Sequence, residues 1–144
     1  DYPIDAAIQL KIPLNLIANN LHLRDTTELN FNQNEDINVQ KIYLKVENGF
    51  PINCDIKMIL LDENQNIIDT VFNNQTISSG FIQNNIVVEK SINTLETNAV
   101  IFDNVRHIIF DAKFNTDDIN SFISIYNDYT IDFLLSAKLS ARIN

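Results

Sequence analysis

Asp62-x-Asn64-x-Asn66 places side-chain oxygens at alternate positions, which is how a calcium-binding loop opens. Such a loop continues with a glycine at position 67 and closes with a bidentate glutamate at position 73. The chain instead has Ile67 and Asn73. Without the bend and the closing carboxylate, Asp62, Asn64 and Asn66 are candidate metal ligands only in part. The expectation is an exposed hairpin turn that takes calcium weakly or not at all.

Other reactive residue types are sparse. His22 and His107 are the only histidines, and neither sits in an H-E-x-x-H pattern. His107, between Arg106 and Ile108, reads as a surface residue on the wet face of a strand. Cys54 is the single cysteine, so no internal disulfide forms. Its neighbours Asn53 and Asp55 provide none of the positive charge that activates a thiolate, so it reads as a small residue in a strand. Asp117, Asp118, Asp128 and Asp132 are available for paired-carboxylate chemistry, but their spacing does not require it. No G-x-S-x-G, glycine-rich phosphate loop or C-x-x-C is present. The expectation is that no residue is catalytic, no cofactor is bound, and the protein is not an enzyme. Sugar recognition would call for exposed aromatic rings. There is no Trp, and of Tyr2, Tyr43, Tyr126 and Tyr129 only Tyr43 and Tyr126 read as exposed. Asn74-Gln75-Thr76 fits a glycosylation sequon.

The elements that must position these residues are strands. Ile42, Leu44 and Val46 alternate with polar neighbours up to Asn48-Gly49-Phe50-Pro51. Ile56, Met58 and Leu60 then alternate with Lys57, Ile59 and Leu61, and after the polar turn 62–66 a strand runs from Ile67 to Phe72. Ala6 to Leu14 reads as a long strand blunted by Pro13, and Leu21 and Leu23 as a short one. Arg24 to Glu28 reads as a turn or a single helical turn, and Asn32 to Asp36 as a polar loop. Ile86 and Val88 mark a strand. Ser91 to Asn98 has a plausible N-cap and helical spacing at Ile92, Leu95, Glu96 and Ala99, so one short helix is expected there. Thr116 to Phe122 has room for another turn of helix. Val105 to Phe114 alternates, and Tyr129 to Ile143 is the longest alternating run. Only two glycines are present, so asparagine and aspartate must supply the positive-φ turns. Ile42, Leu44, Val46, Met58, Leu60, Phe110, Ile131, Phe133 and Leu135 are the expected core.

Bulk properties narrow the class. The 144 residues suit one domain, 1–144, with 45% apolar residues and a formal charge of -9. That charge, with no local Lys/Arg cluster in the sequence, argues against nucleic acid as a partner. No apolar run is long enough for a transmembrane segment. The chain starts at Asp1 and not at Met, which reads as a processed form with any signal or lipid anchor upstream of residue 1.

The run Ile42-Tyr-Leu-Lys-Val-Glu-Asn-Gly-Phe-Pro51, followed by Met58-Ile-Leu-Leu-Asp-Glu-Asn-Gln-Asn-Ile-Ile-Asp-Thr-Val-Phe72, resembles uncharacterised β-sandwich domains of Bacteroidetes-type secreted or outer-membrane lipoproteins. More distantly it is similar to late-embryogenesis-abundant type 2 domains. The likeness covers about a quarter of the chain and lies in residues that read as structural. It implies a fold and a compartment outside the cytoplasm, in the periplasm or at the outer-membrane or cell surface. It implies no catalytic residues, and the lipidated cysteine of the lipoproteins is not present.

The expected fold is all-β: an immunoglobulin-like antiparallel β-sandwich of about eight strands with one short helix. The expected role is a non-catalytic structural or protein-interaction module of an exported bacterial protein or lipoprotein. It would meet a protein partner by strand-edge or sheet-face contact, with the two terminal strands as open edges. The alternatives are a module that binds glycan or calcium and, further off, a hydrolase.

Overall fold

A computed structural model describes residues 6–11, 15–16, 20–29, 37–98, 104–116, 123–126 and 128–141. These form twelve strands and no helix: β1 (Ala6–Lys11), β2 (Asn15–Leu16), β3 (Leu21–Glu28), β4 (Ile37–Asn48), β5 (Cys54–Leu61), β6 (Ile67–Ile77), β7 (Phe81–Gln83), β8 (Ile86–Glu89), β9 (Ser91–Asn98), β10 (His107–Phe114), β11 (Ile123–Ser124) and β12 (Thr130–Ala141). Pro13, the loop Asn32–Asp36, Asp117, Asp118 and the proposed helical turn ending at Phe122 lie outside the described residues.

Eight of the strands build two antiparallel sheets, in the orders β1-β12-β4-β9 and β3-β10-β5-β6. The pairs β1·β12, β3·β10, β4·β9 and β5·β6 nest inside one another along the chain, as in one long hairpin folded at the β5–β6 turn. Rolling that ribbon brings β12 onto β4 and β10 onto β5. This is the jelly-roll order, in which two sheets share one core. The immunoglobulin-like expectation is therefore corrected, because the immunoglobulin orders ABED and CFG keep the consecutive pairs A·B, D·E and F·G side by side, whereas in these two sheets β5·β6 alone is a consecutive pair. Local alternation specifies the strands and which way each one faces. It does not specify which strand lies beside which, and that is where the two folds differ.

The core matches the pattern reading. All nine expected core residues are buried. They contribute to one cluster fed by both sheets, and the rings of Phe110 (β10) and Phe133 (β12) stack across it at 5.3 Å between centroids. Even-numbered residues of β5 face inward. On its other face, Ile59 and Leu61 are also buried, while Lys57 and Asp55 are partly exposed.

The expected helix at Ser91–Asn98 is instead β9, in register with β4 from Ser91↔Asn48 to Asn98↔Lys41. The residues that gave helical spacing also alternate, with Leu95 packed against the core and Ile92 and Glu96 facing out. Pairing along eight residues of β4 overrides a weak local preference. Arg24 to Glu28, expected as a turn, lies in β3 against β10. The terminal strand β12 was expected as an open edge but lies between β1 and β4.

Asparagine does take over glycine's usual part. Asn20, Asn74, Asn84 and Asn85 have positive φ, together with Gln65 and Phe72, and neither glycine does. Phe72 and Asn74 sit where β6 advances four residues against two of β5, between Val71↔Met58 and Gln75↔Ile56. This bulge buries the consecutive residues Val71 and Phe72. The glycines are needed for space. A Cβ on Gly49 would come 2.8 Å from the Thr130 carbonyl oxygen, and one on Gly80 would come 2.5 Å from Val87 Cγ1.

Candidate functional site

The strand ends gather the β4–β5 corner, the β7–β8 hairpin and the approach to β12 at one end of the sandwich. The corner is held by Asn48, which is fully buried. Its amide nitrogen donates to the carbonyls of Ile52 (2.9 Å) and Ser78 (3.0 Å), and its side-chain oxygen accepts from the Phe50 amide (2.9 Å). The Gly80 N–H donates to the Phe50 carbonyl, and the Gly49 N–H to that of Thr130. Lys90 donates to Thr130 Oγ1 and Asp132 Oδ2. Asn48 and its corner are thus the base on which the hairpin stands.

The hairpin turns at Asn84-Asn85, whose φ values of 53° and 62° are those of a type I′ turn. It is tied down by the Val87 N–H, which donates to the Tyr129 hydroxyl at 3.0 Å. Tyr129 packs edge-on against Phe50 and Tyr126, and Phe50 against Phe114, so an aromatic path runs from the core to the surface at Tyr126. Only Val87 of the hairpin packs on the core. Phe81 is 65% exposed and Val88 54%, and Ile82 and Ile86 are also exposed. Among the described residues, six of nine large exposed apolar side chains lie at this end: those four, Ile92 at the start of β9, and Tyr126. A concentration of this kind is the usual mark of a contact surface, whereas single scattered residues need no explanation.

A second arrangement lies on the outer face of β3-β10-β5. Asp111 is 1% exposed. Its Oδ1 is 2.9 Å from His22 Nδ1, and its Oδ2 accepts from Arg24 Nε (3.0 Å) and Nη2 (2.9 Å). Lys57 Nζ stands 3.7 Å from the same oxygen, and Lys113 Nζ 3.9 Å from Asp55 Oδ2. Burial alone would raise the Asp111 pKa. The hydrogen bonds and charges of His22 and Arg24 outweigh it and hold the carboxyl below its ordinary 3.8.

The candidate calcium residues are at the opposite end, in the β5–β6 turn. Asp62 Oδ1 accepts the amides of Asn64 (2.9 Å) and Asn66 (2.8 Å), and Oδ2 accepts from the Asn66 side chain (3.0 Å). These bonds, that of the Asn66 side chain foremost, lower the Asp62 pKa. Both carboxylate oxygens are thus engaged inside the turn, and the Asn66 side chain is turned to Asp62.

Cys54 is buried at the start of β5. Burial, with Asp55 adding to it, pushes its thiol up to about 12, so it is protonated at neutral pH. His107 is half-buried opposite Glu28 and Leu61. Tyr126 is exposed as expected, but Tyr43 is half-buried beneath Lys41, whose Nζ is 5.9 Å from the ring centroid. Among the described residues, no group of three or more His, Cys, Asp or Glu could hold a metal ion, and no helix is long and apolar enough to cross a membrane.

Two features were missed in the sequence although signals were present. His22-x-Arg24 and Asp111 occupy same-face positions of alternating strands, with Asp111 polar in the middle of Ile-Ile-Phe-Asp-Ala-Lys-Phe. Phe81-Ile82 and Ile86-Val87-Val88 flank Asn84-Asn85 with no wet and dry alternation, which marks a ribbon without a covered face.

Fold and surface together define a β-sandwich of jelly-roll order with an apolar hairpin at one end and an ion-paired cluster around Asp111 on one face. No family model matches the chain, and no curated protein matches it. Among solved structures, it is similar to a protein of Parabacteroides distasonis ATCC 8503 provisionally described as secreted. The identity is 15% and the TM-score 0.49, covering 84% of this chain and 39% of that one. It is also similar to the VP2 subviral particle of infectious bursal disease virus, at 9% identity and a TM-score of 0.45, covering 98% of this chain and 38% of that one. The chain thus spans under two-fifths of the length of either. At these scores the likenesses decide neither fold nor function.

Proposed function

We propose that the chain is a non-catalytic protein-interaction module of an exported bacterial protein or lipoprotein, and that it meets its partner through the β7–β8 hairpin end. The observation that carries this is the crowding of exposed apolar side chains onto a hairpin that buries only Val87. A ribbon this short gains little stability from its own two strands, so apolar residues on it serve contact better than folding. The hairpin is also an open-edged ribbon, so strand addition remains available to it. The exported setting rests on the lipoprotein resemblance of residues 42–72. The non-catalytic reading is supported by the protonated Cys54 thiol and by an Asp111 carboxylate already occupied by its neighbours.

The test is a double substitution, Phe81→Ser with Val88→Ser, in the chain as the producing cell makes it. The proposal expects a partner that co-purifies with the unaltered protein to be lost, while the unfolding midpoint stays unchanged. Full retention of that partner would reject the hairpin as the docking surface.

A further inference from the structure

We infer that the hairpin end pairs with a second copy of the chain, edge to edge through β7, across a two-fold axis at Ile82. This rests on the reading of that end as the docking surface, and it names the partner.

The hairpin's own geometry sets the open edge. Around a two-residue turn the flanking residues, Gln83 and Ile86, bond each other, so the next pair, Ile82 and Val87, turn their backbone groups outward. On the β8 side the outward group is engaged, since the Val87 N–H donates to the Tyr129 hydroxyl. On the β7 side the N–H and C=O of Ile82 stand at the edge of a two-stranded sheet. Antiparallel pairing of β7 with β7 of a second copy lets each Ile82 donate to the other and accept from it, with Phe81 of one copy opposite Gln83 of the other. Such a contact is self-complementary, as a two-fold axis requires. It joins two short ribbons into one larger sheet, which is the more stable form.

Charge favours the same arrangement. The chain carries -9, so two copies repel wherever their charged surfaces face each other. Gly80 to Val88 contains no charged residue. The nearest charges stand outside that stretch: Glu89 and Asp128 are exposed, Lys90 is paired with Asp132, and Lys11 ends β1 opposite Thr130. Pairing through β7 puts the two β8 strands outermost, so the two Glu89 residues lie about 14 Å apart or more, beyond the Debye length at physiological salt. An apolar contact centre without charge is the composition of a homodimer interface, whereas transient contacts between different proteins are as polar as the surface around them.

The area sets the strength. The six exposed apolar side chains offer on the order of 600 Å² per copy, below the ~800 Å² per partner of a standard stable interface. The dimer is therefore expected to form at about 10–100 µM.

The experiment is sedimentation equilibrium of the intact chain from about 1 to 500 µM. A monomer–dimer equilibrium is expected, and it should tighten as salt is raised, because salt screens the repulsion between two acidic chains. Ile82→Lys and Ile82→Glu each set like charges against each other at the axis. Each variant alone should dimerise roughly tenfold more weakly, with its unfolding midpoint unchanged, and an equimolar mixture of the two should recover the affinity. Should either variant disturb the hairpin, the unaltered chain decides: its amide shifts should change with concentration at residues 81–83 and not in the turn 62–66. A chain that stays monomeric throughout overturns the inference. So does a dimer that both variants leave unchanged, a mixture that pairs no better than its components, or a dimer whose shifts lie away from residues 81–83. The docking reading fails separately. It stands if a monomeric chain still loses a different protein on Phe81→Ser with Val88→Ser, and it falls if that protein is retained.

Discussion

At the scale of single residues, Asn48 and Asp111 carry most of the polar organisation. Asn48→Ala would orphan the Phe50 N–H and the Ile52 carbonyl in a buried corner, while the Ser78 carbonyl keeps the Ser91 hydroxyl. A loss on the order of 3 kcal/mol is expected by urea unfolding, since each buried polar group left unpaired costs ~1–3 kcal/mol. Asp111 sets an acid limb of stability. Its folded pKa lies below the unfolded value near 3.8, so its stabilising contribution is complete above that value and is lost as pH falls through the lower folded value. Asp111→Asn should flatten the fall in urea midpoint below about pH 4. An unchanged acid limb would show that other carboxylates control it. Asn48 was legible in the sequence as a corner residue, because Asn-x-x-Pro breaks an alternating run. Asp111 was not, because its partners His22 and Arg24 are some ninety positions away and become neighbours only through the β3·β10 register.

At the scale of elements, alternation was enough to find β4, β5, β10 and β12 and to choose the inner face of each, whereas β6 was read only from Ile67 to Phe72 and without an inner face. It failed at β9, where strand and helix patterns coincide over eight residues, and the choice was made by β4. It found β8 through Ile86 and Val88 but not its partner β7, because this hairpin has no buried face to impose a period. These failures share a cause, since edge and ribbon strands take their conformation from a neighbour and show a weak pattern of their own. The hairpin yields a sharp expectation. Phe81→Ser with Val88→Ser should change unfolding free energy by less than ~0.5 kcal/mol, because both side chains are solvated in the free protein. A larger loss by urea titration would mean that the hairpin packs on the sandwich and is not held out from it.

At the scale of the whole molecule, the chain is one ribbon rolled so that β12, β4, β10 and β5 are interior strands. Their amides should exchange with solvent only through global unfolding, and those of β7 and β8 much faster. Phe133→Ala would remove a ring stacked on Phe110 in the shared core. It should cost ~3–5 kcal/mol by urea unfolding, and a cost below ~1 kcal/mol would mean that the sheets do not close on each other there. The sequence could not reveal the roll. Nesting β1 with β12 and β3 with β10 depends on contacts between distant parts of the chain, to which a local period is blind. The same roll carries the corner, the hairpin and Tyr126 to one end and the Asp62 turn to the other, which makes the two ends a matched pair for testing the proposed function. The direct measurement is site-specific photo-crosslinking in the producing cell, with a photoreactive side chain at Phe81 or Val88 and, as the control, at Glu63 in the Asp62 turn. A discrete protein adduct from positions 81 and 88 and none from position 63 is the predicted result. Adducts from position 63 alone, or equally from all three, would contradict a partner docked on the hairpin end.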